Sequence, residues 1–265
     1  MTDFSTIELQ LDPRGVATLW LNRADKHNAF NAEMIEELIQ ALRQVAADDS
    51  TRFLVLRGRG KHFSAGADLA WMQASARLDY AANLRDAHEL GELMSQLYHL
   101  PCPTLAVVQG AAFGGAVGLT ACCDIAIGAS DALFSLSEVR IGLAPAVISP
   151  YVVRAIGERA ARRYALSAER FNGERARELG LLAECYAPGE LESELEQWIT
   201  TLLLNSPQAM RETKALLHGV GSGVLNDALR QRTESVIAGI RISEEGQEGL
   251  DAFLQKRAPA WQAQP

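Results

Sequence analysis

The apolar run Phe53-Leu54-Val55-Leu56 leads into a glycine-rich loop that closes as Phe63-Ser64-Ala65-Gly66-Ala67-Asp68-Leu69. The arrangement returns further along the chain. Thr104 to Gln109 reads as an apolar strand, and Gly110-Ala111-Ala112-Phe113-Gly114-Gly115 opens a second glycine-rich segment that runs to Gly118. Each loop follows a strand, precedes a helix and is rich in Gly, Ala and Ser. Backbone N–H groups in such loops can approach a ligand closely and point at it. Two loops of this kind could hold one developing oxyanion between them. Two tight turns in a packed sheet would use the same residues.

Outward from these loops the pattern is α/β. Ile7, Leu9 and Leu11 alternate with polar residues, Asp12-Pro13-Arg14-Gly15 signals a turn, and Val16, Thr18 and Trp20 continue the extended pattern, so a hairpin is expected. Asn31 can cap a helix whose apolar face is Met34, Ile35, Leu38, Leu42 and Val45. Residues 80–99 carry helical periodicity in Leu84, Ala87, Leu90, Met94, Leu97 and Tyr98, and Pro101 and Pro103 end that helix. Ile125-Ala126-Ile127 and Leu133 to Leu136 read as two more short strands. Beyond about Pro150 the reading is nearly all helix, with segments near 158–167, 173–180, 189–204, 207–218, 225–240 and 243–255. The chain is thus α/β to about residue 190 and α thereafter.

Of the 265 residues 48% are apolar, enough to bury a sizeable core. Lys and Arg number 25 against 33 Asp and Glu, a net charge of −8, which gives no global attraction for nucleic acid or an anionic membrane. No run of eighteen apolar residues occurs, and Met1-Thr2-Asp3-Phe4 is polar and acidic, so neither a secretory signal nor a membrane span is expected. Cys102, Cys122, Cys123 and Cys185 form no C-x-x-C pair and read as reduced thiols of a cytoplasmic protein.

Several motifs are excluded. Gly58-Arg59-Gly60 lacks the third glycine and the acidic partner of a dinucleotide fingerprint. No Walker lysine-serine ending follows either loop. Ser64 is not in a G-x-S-x-G elbow. His27, His62, His88, His99 and His218 show no metal-ligand spacing, so no metal is implied.

Phe63 to Leu69 resembles the F-x-A-G-A-D-[LI] motif of the crotonase superfamily, the enoyl-CoA hydratase/isomerase proteins, and Gly110 to Gly115 resembles its second motif. The likeness continues through Cys123-Asp124-Ile125, Phe134-Ser135-Leu136-Ser137-Glu138, Leu21-Asn22-Arg23 with Asn28-Ala29, Pro207 to Lys214 and Phe253 to Arg257. It implies a spiral of ββα units (residues 1–190, carrying the acyl-CoA site) and a helical C-terminal region (191–265) used for trimerisation, the assembly being a homotrimer or a hexamer of two paired trimers. It also implies acyl-CoA chemistry: the N–H groups of Ala67 and Gly115 would hold the thioester oxygen as an enolate forms. Losing one such donor typically costs roughly 3–4 kcal/mol of barrier. Coenzyme A would arrive as part of the substrate, with no separate cofactor. For Asp68 and Asp124, hydrogen bonding at helix ends is the plainer role.

Glu138 matches a catalytic glutamate of the family, and a carboxylate beside a dry thioester pocket can carry a raised pKa and move protons. Hydratases of the family carry a second glutamate where this chain has Gly118. Three options follow: Glu138 works alone; a carboxylate among Asp79, Asp86, Glu89 and Glu92 substitutes; or the reaction is a Δ3,Δ2-enoyl-CoA isomerisation with one proton shuttle. Ala67 to Met72 and Ala144 to Tyr151 resemble the methylglutaconyl-CoA hydratase branch of leucine or isoprenoid catabolism. A glutaconyl carboxylate needs a cation or donors where it is buried, and Arg140 and Arg154 are the candidates; on an extended segment Arg140, two residues after Glu138, would point to the same side. That carboxylate could also hold the water that Gly118 cannot. For the CoA end the resemblance points to Lys26, Ala65, Asp68, Phe253 and Lys256, the last pair reaching a neighbouring subunit's CoA. The rival outside enzymology is an acyl-CoA- or RNA-binding relative with weak catalysis, and the net charge disfavours RNA.

Overall fold

The computed structural model describes residues 4–221 and 224–262. Met1 to Asp3 lie outside the described residues. Strand β1 (Ile7–Leu11) pairs antiparallel with β2 (Val16–Leu21), as the hairpin pattern requires. Asp12 builds the turn, its Oδ1 accepting from the N–H groups of Arg14 and Val16. Helix α1 (Ala32–Ala47) starts at Asn31, whose Oδ1 accepts from Met34 N–H at 3.0 Å. Its expected apolar face is buried in full.

Strands β3 (Phe53–Gly58) and β4 (Thr104–Val108) continue the sheet in parallel. Both are largely apolar and buried, Arg57 of β3 being the partly exposed exception, as strands inside a parallel sheet require. Helix α2 (Leu69–Ser75) follows the first glycine-rich loop, and α3 (Tyr80–Tyr98) returns the chain to β4. Only the second half of α3 buries its stripe, at Leu93, Met94 and Leu97; Leu84 stays exposed.

After Gly110 the chain leaves the first sheet. Strand β5 (Ala111–Phe113) is followed by α4 (Gly115–Cys122), β6 (Ile125–Ala129) and β7 (Leu133–Ser135). A single 3-10 turn covers Glu138–Ile141. A helical run, α5 (Ser149–Ser167), is broken at Gly157, where φ is 76° and ψ 156°. It begins nine residues earlier than the sequence pattern suggests, because Pro150 sits in its first turn, where no N–H is needed. Strand β8 (Phe171–Asn172), α6 (Gly173–Leu179) and β9 (Glu184–Tyr186) complete the α/β part. The sheets run β1-β2-β3-β4-β6-β9 and β5-β7-β8.

Four helices end the chain: α7 (Leu191–Leu203), α8 (Pro207–Val220), α9 (Asp227–Ile242) and α10 (Glu244–Gln255). Helix α7 buries Leu191, Leu195, Ile199 and Leu202. Helix α8 is tied down by buried Lys214, whose Nζ lies 2.8 Å from Asp124 Oδ2 and donates to Cys102 O. Buried Arg52 reaches from the start of β3 to the carbonyls of Leu203, Asn205 and Trp261. Among the described residues of α9 and α10, Ala252 alone is buried. No described helix is long and apolar enough to cross a membrane.

Candidate active site

The two glycine-rich loops meet. Ser64 and Ala112 form a parallel bridge, with Ser64 N–H donating to Ala111 O and Phe113 N–H to Ser64 O. His62 reinforces the junction: its Nδ1 accepts from Ala111 N–H at 3.0 Å, and burial pushes its pKa down, in keeping with an acceptor nitrogen. Asn28, fully buried, donates to the carbonyls of Arg59 and His62 and holds the first loop from below.

Phe30 links both proposed donors. Its N–H donates to Gly66 O and its carbonyl accepts from Asp68 N–H, each at 2.8 Å. The residues flanking Ala67 are thereby pinned, and Ala67 N–H has no acceptor among the described residues. The Phe30 ring lies 3.5 Å from where a Gly115 side chain would begin. Gly115 opens α4, where the first N–H groups have no partner within the helix. Its N–H also has no acceptor among the described residues. The sequence carried one signal for Phe30: an apolar residue just before a helix cap often staples the helix entry.

Glu138 completes the arrangement. A methyl group added at Gly114 would lie 3.1 Å from Glu138 Oε1, and Gly114 adopts φ 55°, ψ −119°, a backbone conformation that calls for glycine. Glu138 Oε2 is enclosed with no hydrogen-bond partner among the described residues. Burial pushes the Glu138 pKa above the ordinary carboxylate range, against a smaller opposing pull from a backbone hydrogen bond. Two free N–H groups and one enclosed carboxylate therefore share one region.

The other expected residues fare differently. Asp68 caps α2 through Ala70 and Trp71 N–H and pairs with Arg23 at 3.0 Å, side chains 15% and 17% exposed. Burial raises its pKa, but the Arg23 hydrogen bond and the two N–H donors win and the net shift is downward. Its carboxylate is engaged within the loop. Asp124 likewise accepts from Thr104 and pairs with Lys214. Arg140 does not share Glu138's side. In the 3-10 turn a two-residue step rotates by about 240° rather than restoring direction as in a strand, and Arg140 Nη2 donates to Ala168 O at 2.8 Å. Arg154 donates to Tyr98 Oη. Of the carboxylates in 75–95, Asp79 caps α3, Asp86 accepts from Ser75, Glu92 accepts from Gln96 and faces Arg43, and Glu89 is exposed.

Gly118 is a filled position, not an open one. A methyl group there would lie 2.3 Å from Ile148 Cγ2. Lys26 is exposed in the 3-10 turn Ala24–Lys26, and Ala65 is half-buried with its N–H on His27 O. Phe253 and Lys256 are exposed on α10 and its C-terminal end.

The profile of enoyl-CoA hydratase/isomerase proteins matches residues 12–264. The chain belongs to that family. An enoyl-CoA hydratase from Shewanella pealeana has a solved structure that superposes with a TM-score of 0.93 at 50% identity, over 97% of this chain and 96% of that one. The 2,3-dehydroadipyl-CoA hydratase of Escherichia coli is 31% identical over 246 residues, 92% of this chain and 94% of the relative. The trans-2-decenoyl-[acyl-carrier-protein] isomerase of Streptococcus mutans is 31% identical over 262 residues, 97% and 98% of the two chains. The α/β architecture of this enoyl-CoA hydratase/isomerase family member is the one that the Shewanella pealeana structure shares.

Proposed function

We propose that this family member is a hydratase that adds water to a branched 2-enoyl-CoA, 3-methylglutaconyl-CoA being the first candidate. The observation that carries the reading is the enclosed, unpartnered Oε2 of Glu138 beside the free N–H groups of Ala67 and Gly115. Ionised Glu138 takes a proton from water as the oxygen bonds to C3. The C2=C3 electron pair moves toward the thioester, and the enolate oxygen is held by the two N–H groups. Glu138 then returns the proton to C2, and the carbonyl re-forms. Coenzyme A is part of the substrate, and this sequence of steps draws on no metal, nicotinamide or flavin. The glutaconyl assignment is supported by residues 67–72 and 144–151. With Arg140 and Arg154 engaged elsewhere, we place the substrate's terminal carboxylate toward solvent. Free cysteines suit a cytoplasmic enzyme.

One observation favours a second reading. Ile148 stands against Gly118, so a lone carboxylate could instead remove a proton from C2 of a 3-enoyl-CoA and return it to C4, moving the double bond. Purified protein mixed with 3-methylglutaconyl-CoA, crotonyl-CoA and a 3-enoyl-CoA separates the two by product mass and thioester absorbance. Gain of one water, fastest on methylglutaconyl-CoA and unchanged by a chelator, is expected. Equal rates on crotonyl-CoA would remove the glutaconyl assignment. Conjugation of the 3-enoyl substrate with no mass change would make the enzyme an isomerase.

A further inference from the structure

Gly118 follows Gly114 by four residues, so the two lie on one side of the α4 entry turn. At the Gly114 end of that side, a methyl group would lie 3.1 Å from Glu138 Oε1. At the Gly118 end, a methyl group would meet Ile148 Cγ2 at 2.3 Å, Ile148 Cβ at 2.8 Å and Met94 Cε at 3.3 Å. Ile148 is 2% exposed and Met94 0%, so neither can swing into solvent to make room. Ile148 also closes the segment that begins at Glu138. Leu143 N–H donates to Glu138 O, which folds that segment back on itself before Ile148 enters α5. The proton-handling group and the residue that fills the Gly118 space are thus carried by one short stretch of chain.

We propose that Ile148 is a specificity-determining residue. It restricts position 118 to glycine, keeps a second carboxylate off this helix face, and so sets the partition between water addition and double-bond migration. The proposal rests on the enoyl-CoA hydratase/isomerase reading of the site. In the wild type Glu138 alone must both activate the water and return its proton to carbon, and a second carboxylate at position 118 would share the water and favour addition over migration. The partition then depends on whether position 118 can bear an acid, and Ile148 decides that.

The test uses full-length wild type and the variants G118A, I148G, G118A/I148G and G118E/I148G. Glycine is needed at 148 because Ile148 Cβ itself is too close for a side chain at 118. G118A alone is expected to lower Tm, and the same change on the I148G background to cost much less, a non-additive pair. G118E/I148G is expected to raise the ratio of hydrated to isomerised product by roughly tenfold or more over I148G. Wild-type stability in G118A, or an unchanged ratio in a folded G118E/I148G, would overturn the inference while leaving the hydratase reading intact. Wild type inert on every enoyl-CoA would overturn that reading itself, and the partition claim with it. If G118E/I148G does not fold, additivity of G118A and I148G in Tm still refutes the coupling.

Discussion

At the scale of single residues the site turns on one carboxylate whose environment opposes its charge. Glu138 has an enclosed, unpartnered oxygen and a pKa held above the usual range by burial. A base that must start ionised should then give kcat/KM an acid limb displaced above ordinary carboxylate values. Glu138→Gln should lower turnover by about 10²–10⁴-fold and abolish that limb. Near-normal turnover in the variant would remove Glu138 from the chemistry. The same burial affects stability. Between the unfolded and the raised folded pKa, the folded chain keeps a proton that the unfolded chain has lost, so stability falls as pH rises through that window. Glu138→Gln should therefore unfold at higher denaturant than wild type at neutral pH, with the gap closing below the carboxylate range. A variant less stable at neutral pH would show that Glu138 is a structural residue.

At the scale of elements, the oxyanion donors depend on how two loops are held. Asp68 caps α2, pairs with Arg23, and through its own N–H fixes Phe30 next to Ala67. Asp68→Ala should cost about 1–2 kcal/mol, the loss of a cap and a half-buried ion pair, measured by urea unfolding. It should also lower kcat more than it raises KM, since a loosened Ala67 N–H weakens binding chiefly of the enolate. A pure KM effect would instead give Asp68 a direct contact with CoA. Much of this scale was legible in the sequence. The capping of α1 by Asn31, the hairpin at Asp12 and the two strand–loop–helix units follow from local chemistry that the residues carry themselves. Strands β5, β8 and β9 were not legible, because β5 lies inside the glycine-rich segment, β8 has two residues, and pairing partners in β6 and β7 define all three. Arg140 was misplaced for a related reason: its direction depends on a 3-10 turn that no periodicity announces. Ile148 was invisible at Gly118, because contact between α4 and the entry of α5 is tertiary.

At the scale of the whole molecule, the C-terminal helices stand apart from the rest. Lys214 and Arg52 anchor α8 and the chain end to the core, yet Phe253 is 81% exposed, Leu254 75% and Ile242 79%. Large apolar side chains at that exposure are expensive in water, and a patch of them on helices with one buried residue calls for a cover. The resemblance implies a second and third copy of the chain as that cover, and the assembly itself is a proposal. Sedimentation of wild type should give three or six times the chain mass, and Phe253→Asp with Leu254→Asp should give the single-chain mass while preserving the helical circular dichroism. If Phe253 and Lys256 also touch a neighbour's CoA, dissociation should raise KM for the acyl-CoA severalfold with a smaller change in kcat. Lys256→Ala should reproduce the KM effect without dissociation, because an exposed lysine at the end of α10 can hold a phosphate without supporting the apolar contact. A wild type that sediments at the single-chain mass would refute the assembly. An oligomer whose KM is unmoved by Lys256→Ala would confine CoA binding to one subunit.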